Sequence, residues 1–285
     1  MYGCRILSSK AAVAIVEKLD PHVLQKLDMS KNRLSVEAIG LLCDLLTETT
    51  SLTTLGLEES NVRQSTLGKL CESVAYRNVC PYSDVVIHEC PLKQLNLAGN
   101  NIDNDGAMTI AKMLKKSKNL TSLDLSWNNI RREGAAALFK SIDGESNLVS
   151  LDIGYNAIGS SMDTDRDGVK ALARCLKGKD GETCSLTHLN VSHNQMGEAD
   201  CKMLSKALLT NHTLMGIHVE GNSGFIDSRG FLIPGADMYP NGGGGTMFSR
   251  ILSAEGSETS NVRSNPDKES WACRSNCWIC ERWQE

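Results

Sequence analysis

The chain has 285 residues and a net charge of −4, with a pI near 5.9. That balance gives no support to a nucleic-acid-binding reading, which would want a basic stripe. Hydrophobic residues reach 41% while aromatics are only 5%, so the core must be aliphatic, which suits stacked repeats better than one globular centre.

From the amino terminus, the apolar run Ala11–Ile15 is too short for a signal core or a membrane span, and Glu17 breaks the apolar stretch soon after it. The 11 cysteines are odd in number and scattered, which reads as reduced thiols serving as small core residues. A cytoplasmic protein with no membrane partner and no cofactor is expected. Lys10–Leu19 looks like the helix half of an incomplete unit, and residues 1–23 are read as a partial repeat or cap.

A repeat then organises residues 24–222. Leu24 (LQKLDMSKNRL) and Leu52 (LTTLGLEESNV) start two units 28 residues apart. Leu92 (LKQLNLAGNNI), Leu120 (LTSLDLSWNNI) and Leu148 (LVSLDIGYNAI) continue at 28-residue steps, as do Leu186 (LTHLNVSHNQM) and Leu214 (LMGIHVEGN). Within each unit, apolar residues at positions 1, 4 and 6 predict a short strand with alternate side chains facing inward. Position 9 is Asn32, Asn100, Asn128, Asn156, Asn194 and Asn222, with Ser60 breaking the series. An amide has donors and an acceptor for backbone groups at a buried turn. Gly106, Gly134 and Gly168 then open helices. In these helices, apolar residues recur four apart, as in Ile110/Leu114, Leu138/Ile142, Leu172/Leu176 and Leu204/Leu208.

The pattern LxxLxLxxNxIxxxGAxxLxxxL resembles the leucine-rich repeat, in its ribonuclease-inhibitor-like subtype. The resemblance implies an α/β fold, a right-handed solenoid curved into a horseshoe with a parallel inner sheet and outer helices. Insertions at 75–91 and 159–167 are expected to form loops at the rims. Residues 223–270 read as a cap remnant and a Gly/Ser-rich linker. Residues 271–285 form a Cys/Trp-rich tail whose CWICERW resembles tails found after such repeats in proteins of unicellular eukaryotes. Trp271, Trp278, Ile279 and Trp283 are candidates to fold back as a cap over the last strand.

The strands are expected to expose positions 3, 5, 7 and 8. Position 8 brings Trp127, Tyr155 and His193 side by side, and position 5 sets Asp124, Asp152, Asn190 and His218 next to them. Aromatics flanked by carboxylates make a protein-binding patch. Asp163, Asp165 and Asp167 before Gly168 suit calcium, yet Arg174 stands where a calcium loop needs a bidentate glutamate, so a solvated acidic loop is the reading. Cys71, Cys80, His88 and Cys90 are too loosely spaced for a strong zinc site, and Cys273, Cys277 and Cys280 are one ligand short. No metal is expected. No phosphate loop or nucleophile motif is present. The sequence thus predicts a non-catalytic protein-binding scaffold. Alternatives are a Ran-type GTPase activator, with Arg131 and Arg132 beside the strands, and a structural part of a cytoskeletal or flagellar assembly. A sensor role, as in the repeat regions of NACHT-type receptors, would need a nucleotide-binding domain.

Overall fold

The structure, a computed structural model, describes residues 8–79, 86–142, 146–159, 166–178, 184–227 and 230–235. Cys80, Asp163, Asp165 and the Cys/Trp-rich tail lie outside these residues.

The first units hold α1 (Ser9–Val16), β1 (Lys26–Asp28), α2 (Val36–Glu48), β2 (Thr54–Gly56) and α3 (Gln64–Val74). Next come β3 (Arg77–Val79), β4 (Val86–Glu89), β5 (Gln94–Asn96) and α4 (Asn104–Lys116). The later units contribute β6 (Ser122–Asp124), α5 (Arg132–Ile142), β7 (Ser150–Asp152), α6 (Asp167–Lys177), β8 (His188–Asn190), α7 (Glu198–Leu208) and β9 (Gly216–His218). The described chain closes on β10 (Gly224–Ile226) and β11 (Leu232–Pro234).

Among the described residues, seven strands form one parallel sheet in the order β1-β2-β5-β6-β7-β8-β9. The register is constant, with Leu27, Leu55, Leu95, Leu123, Leu151, Leu189 and Ile217 lined up across it. Each unit is therefore a strand that returns through a helix to the next strand, an α/β solenoid. Leu148, Leu151 and Ile153 are fully buried and pack in the same core as Leu138, Phe139 and Ile142 from α5. Burying each such side chain contributes about 1.5–3 kcal/mol. Helices α4, α5 and α6 also press closely on one another, and glycine allows it. A Cβ on Gly134 would lie 2.8 Å from Asn104 Oδ1 and 2.9 Å from Ala107 Cβ.

The asparagines form a buried ladder. Asn128 Nδ2 donates to the carbonyls of Leu97, Leu125 and Ser126 at 2.9–3.1 Å. Its Oδ1 accepts from the N–H groups of Asn100 and Ile102. One amide thus ties its own turn to the unit before it. Where Ser60 replaces asparagine, its hydroxyl donates to Met29 O and Glu58 O, and Asn100 Oδ1 serves the N–H groups of Ser60 and Val62.

The first insertion is more ordered than a loop. Within it β3 and β4 pair antiparallel, Arg77 opposite Glu89 and Asn78 opposite His88, and the β-branched pair Val86-Ile87 explains the second strand. At the other end, β10 and β11 form a second hairpin packed on α7. Leu232 joins the core there, whereas Phe225 and Phe231 stay exposed.

Candidate functional site

Position 8 has an unexpected backbone. Lys31, Glu59, Gly99, Trp127, Tyr155, His193 and Gly221 all have φ between 48° and 71°. Just past each strand the chain turns left-handed, yet the position-8 N–H still reaches the next unit. Trp127 N donates to Gly154 O at 3.0 Å, Tyr155 N to Ser192 O at 2.9 Å and His193 N to Glu220 O at 2.7 Å. Sheet pairing thus continues through the turn. Glycine takes this conformation without strain, but a side chain there costs roughly 1–2 kcal/mol. Three consecutive units accept that cost with large rings.

The rings stack. Trp127 and Tyr155 lie 3.8 Å apart at 10°, and Tyr155 and His193 lie 4.2 Å apart at 13°. Strand spacing of ~4.8 Å sets the repeat distance, and the rings tilt to close the remainder. Trp127 is 59% exposed, and His193 is exposed too. The result is a flat aromatic shelf along one rim of the sheet, exposed at Trp127 and His193 and half-buried at Tyr155.

Position 5 corrects the sequence reading. Asp124, Asp152 and Asn190 are buried, at 1%, 5% and 1% exposure, and do not stand out beside the rings. Their oxygens are taken up by the following turn. Asp124 Oδ1 accepts from the backbone N–H and hydroxyl of Ser126, and Asp152 Oδ1 from Gly154 N. Asn190 Oδ1 accepts from Ser192 N, while its Nδ2 donates to Asp152 Oδ2 at 3.0 Å. Asp28 and Asn96 do the same for the N–H of Ser30 and Ala98. These are Asx turns that brace the start of the left-handed step. Where position 5 is Gly56, Ser30 Oγ accepts from Glu58 N instead. The signal was in the sequence, as Asp or Asn two residues before Ser, Ala or Gly. His218 is half-buried on the edge strand β9. Burial, and after it the neighbouring His218, lowers the pKa of His188.

The other candidates do not converge on a centre. Cys71 and Cys90 are buried free thiols, pushed by desolvation to about 12 and about 11. His88 lies beside the Tyr76 ring. Among the described residues no group of three or more His, Cys, Asp or Glu side chains could hold a metal ion. Nor, among them, is any helix long and apolar enough to cross a membrane.

A model of the leucine-rich repeat family matches residues 88–111, 116–139 and 183–205, in the same register as the strands and helices above. These residues are leucine-rich repeats. A relative of its repeats is the human (Homo sapiens) NACHT, LRR and PYD domains-containing protein 13, 32% identical over 96 residues. The match takes in 34% of this chain and 8% of that protein, so it spans a small part of the relative's length. Among solved structures, the repeats align with leiomodin-1 actin-binding site 2 at a TM-score of 0.41 and 21% identity, over 61% of this chain and 86% of that one. TLR13 in its complex with ssRNA13 aligns at 0.41 and 16% identity, over 72% and 24%. Within the repeats, Arg131 is exposed and its N–H donates to Asn104 Oδ1. Arg132 opens α5, one residue later.

Proposed function

We propose that this chain is a non-catalytic protein-binding scaffold of the ribonuclease-inhibitor-like subtype, acting in the cytoplasm, with Trp127, Tyr155 and His193 as its contact surface. The 28-residue step supports the subtype. The observation that carries the binding reading is the stack of three large rings, set at a left-handed position that glycine fills in two other units. Exposed Trp and Tyr rings offer large contact areas with few rotatable bonds. A preformed stack loses little ordering entropy when a partner arrives. Asp124, Asp152 and Asn190 enter this proposal as braces of the turn and not as contacts, with His218 at the margin.

The test is a double variant, Trp127→Gly with Tyr155→Gly, which removes the rings and suits the backbone. Proteins captured by the wild-type chain and quantified by mass spectrometry should drop at least about tenfold with the variant, at an unchanged circular dichroism spectrum. Equal capture by both proteins rejects the ladder as the contact surface.

A further inference from the structure

The aromatic ladder has one closed end and one open end. At the closed end the His193 ring lies over Gly221, where a Cβ would overlap the imidazole. At the open end Trp127 uses one face on Tyr155, and its neighbour on the other side is Gly99, which has no side chain. The indole face turned from Tyr155 therefore meets no side chain from Gly99, in keeping with the exposure of Trp127. Past Gly99 the equivalent residue is Glu59, also exposed. Its stem leans over the glycine, since a Cβ on Gly99 would lie 2.9 Å from Glu59 Cγ. A ring face and a carboxylate thus border one gap, two strand spacings or roughly 10 Å across at the backbone.

The surrounding face is acidic. Of the residues at positions 3, 5, 7 and 8 that are exposed or half-buried, Asp28, Glu58, Glu59 and Glu220 stand against Lys26 and Lys31. Glu58 and Lys31 are 3.8 Å apart. Such a face attracts a cation and disfavours a second copy of itself. A group that fits the gap must be flat enough to stack on indole and charged enough to meet a carboxylate. Arginine satisfies both. Its guanidinium stacks on aromatic faces and directs N–H donors outward in its plane, whereas a lysine ammonium is compact and strongly hydrated.

We infer that the gap between Trp127 and Glu59 seats an arginine side chain from a basic segment of a partner protein. The guanidinium lies on the open indole face above Gly99 and donates to the Glu59 carboxylate. Tyr155 and His193 hold the indole from behind. This rests on the protein-binding reading of the ladder and adds the chemistry of the partner.

The experiment is a fluorescence-anisotropy titration of the full chain against three labelled peptides, five repeats each of Arg-Gly-Gly, Lys-Gly-Gly and Glu-Gly-Gly. The arginine peptide should bind several-fold more tightly than the lysine peptide, and the glutamate peptide should not bind. Trp127→Gly should weaken arginine-peptide binding about tenfold, Trp127→Phe less, and Glu59→Gln about threefold. Glu59→Arg, at an exposed position outside the core, should abolish binding and serves should Trp127→Gly unfold the chain. Binding that does not depend on Trp127, or equal binding of arginine and lysine peptides, overturns the arginine seat. If the arginine peptide fails while partner capture still needs the rings, the seat is wrong and the scaffold reading stands. If capture ignores the rings, the scaffold reading itself falls.

Discussion

Positions 8 and 9 of the repeat are neighbours in the chain and opposites in behaviour. Position 9 is buried, and six of its seven residues are asparagine. Position 8 carries lysine, glutamate, glycine, tryptophan, tyrosine, histidine and glycine. Both run as ladders at the strand spacing. The difference lies in what each ladder answers to. A buried amide must satisfy carbonyls and N–H groups in two units at once, and few side chains can do that. An exposed left-handed residue answers to solvent and to whatever docks there, so it is free to change provided the backbone strain is met.

That contrast can be broken deliberately. The largest effect should come from Asn128→Ala, which removes five hydrogen bonds and strands buried backbone groups in two units. A loss of about 2–4 kcal/mol is expected in urea unfolding, and a loss below about 1 kcal/mol would mean that water replaces the amide. Next comes position 8. Trp127→Gly should be more stable than Trp127→Ala by about 1 kcal/mol, because only glycine relieves the positive φ. Equal melting of the two variants would show that the left-handed step carries no strain.

The smallest effect concerns His188, whose pKa is lowered chiefly by burial and then by His218. The folded state resists the proton that the unfolded chain accepts. Stability should therefore be unaffected above the unfolded value of about 6.5 and fall as pH drops through it, levelling once the folded group also protonates. His188→Gln should flatten part of that fall in melting temperature between pH 7 and pH 5. An unchanged slope would place the pH dependence elsewhere.

The architecture was legible because it repeats. A 28-residue step, leucines at positions 1, 4 and 6, and asparagine at position 9 each reflect one geometric demand met many times. The candidate site was legible only in part. Strand alternation puts position 5 on the inner face, which suggests that Asp124, Asp152 and Asn190 are exposed. Alternation describes direction, and it says nothing of a turn folding back over the side chain to take up its oxygens. The left-handed φ of Trp127 was hidden by its own side chain, since only Gly99 and Gly221 hinted at it. The β3–β4 hairpin stands where a rim loop is expected. The length of an insertion suggests a loop, but β-branched residues such as Val86 and Ile87 favour a strand, and here they decide the outcome.

The asparagine ladder couples each unit only to its immediate neighbours. Disruption in such an array enters from an end and travels inward one turn at a time, as a zip does. The rings of Trp127, Tyr155 and His193 sit in the fourth, fifth and sixth of seven units. When the outer turns come undone by heat or by pulling, Trp127 keeps three units ahead of it while His193 has one behind it, so the stack is lost from its histidine end.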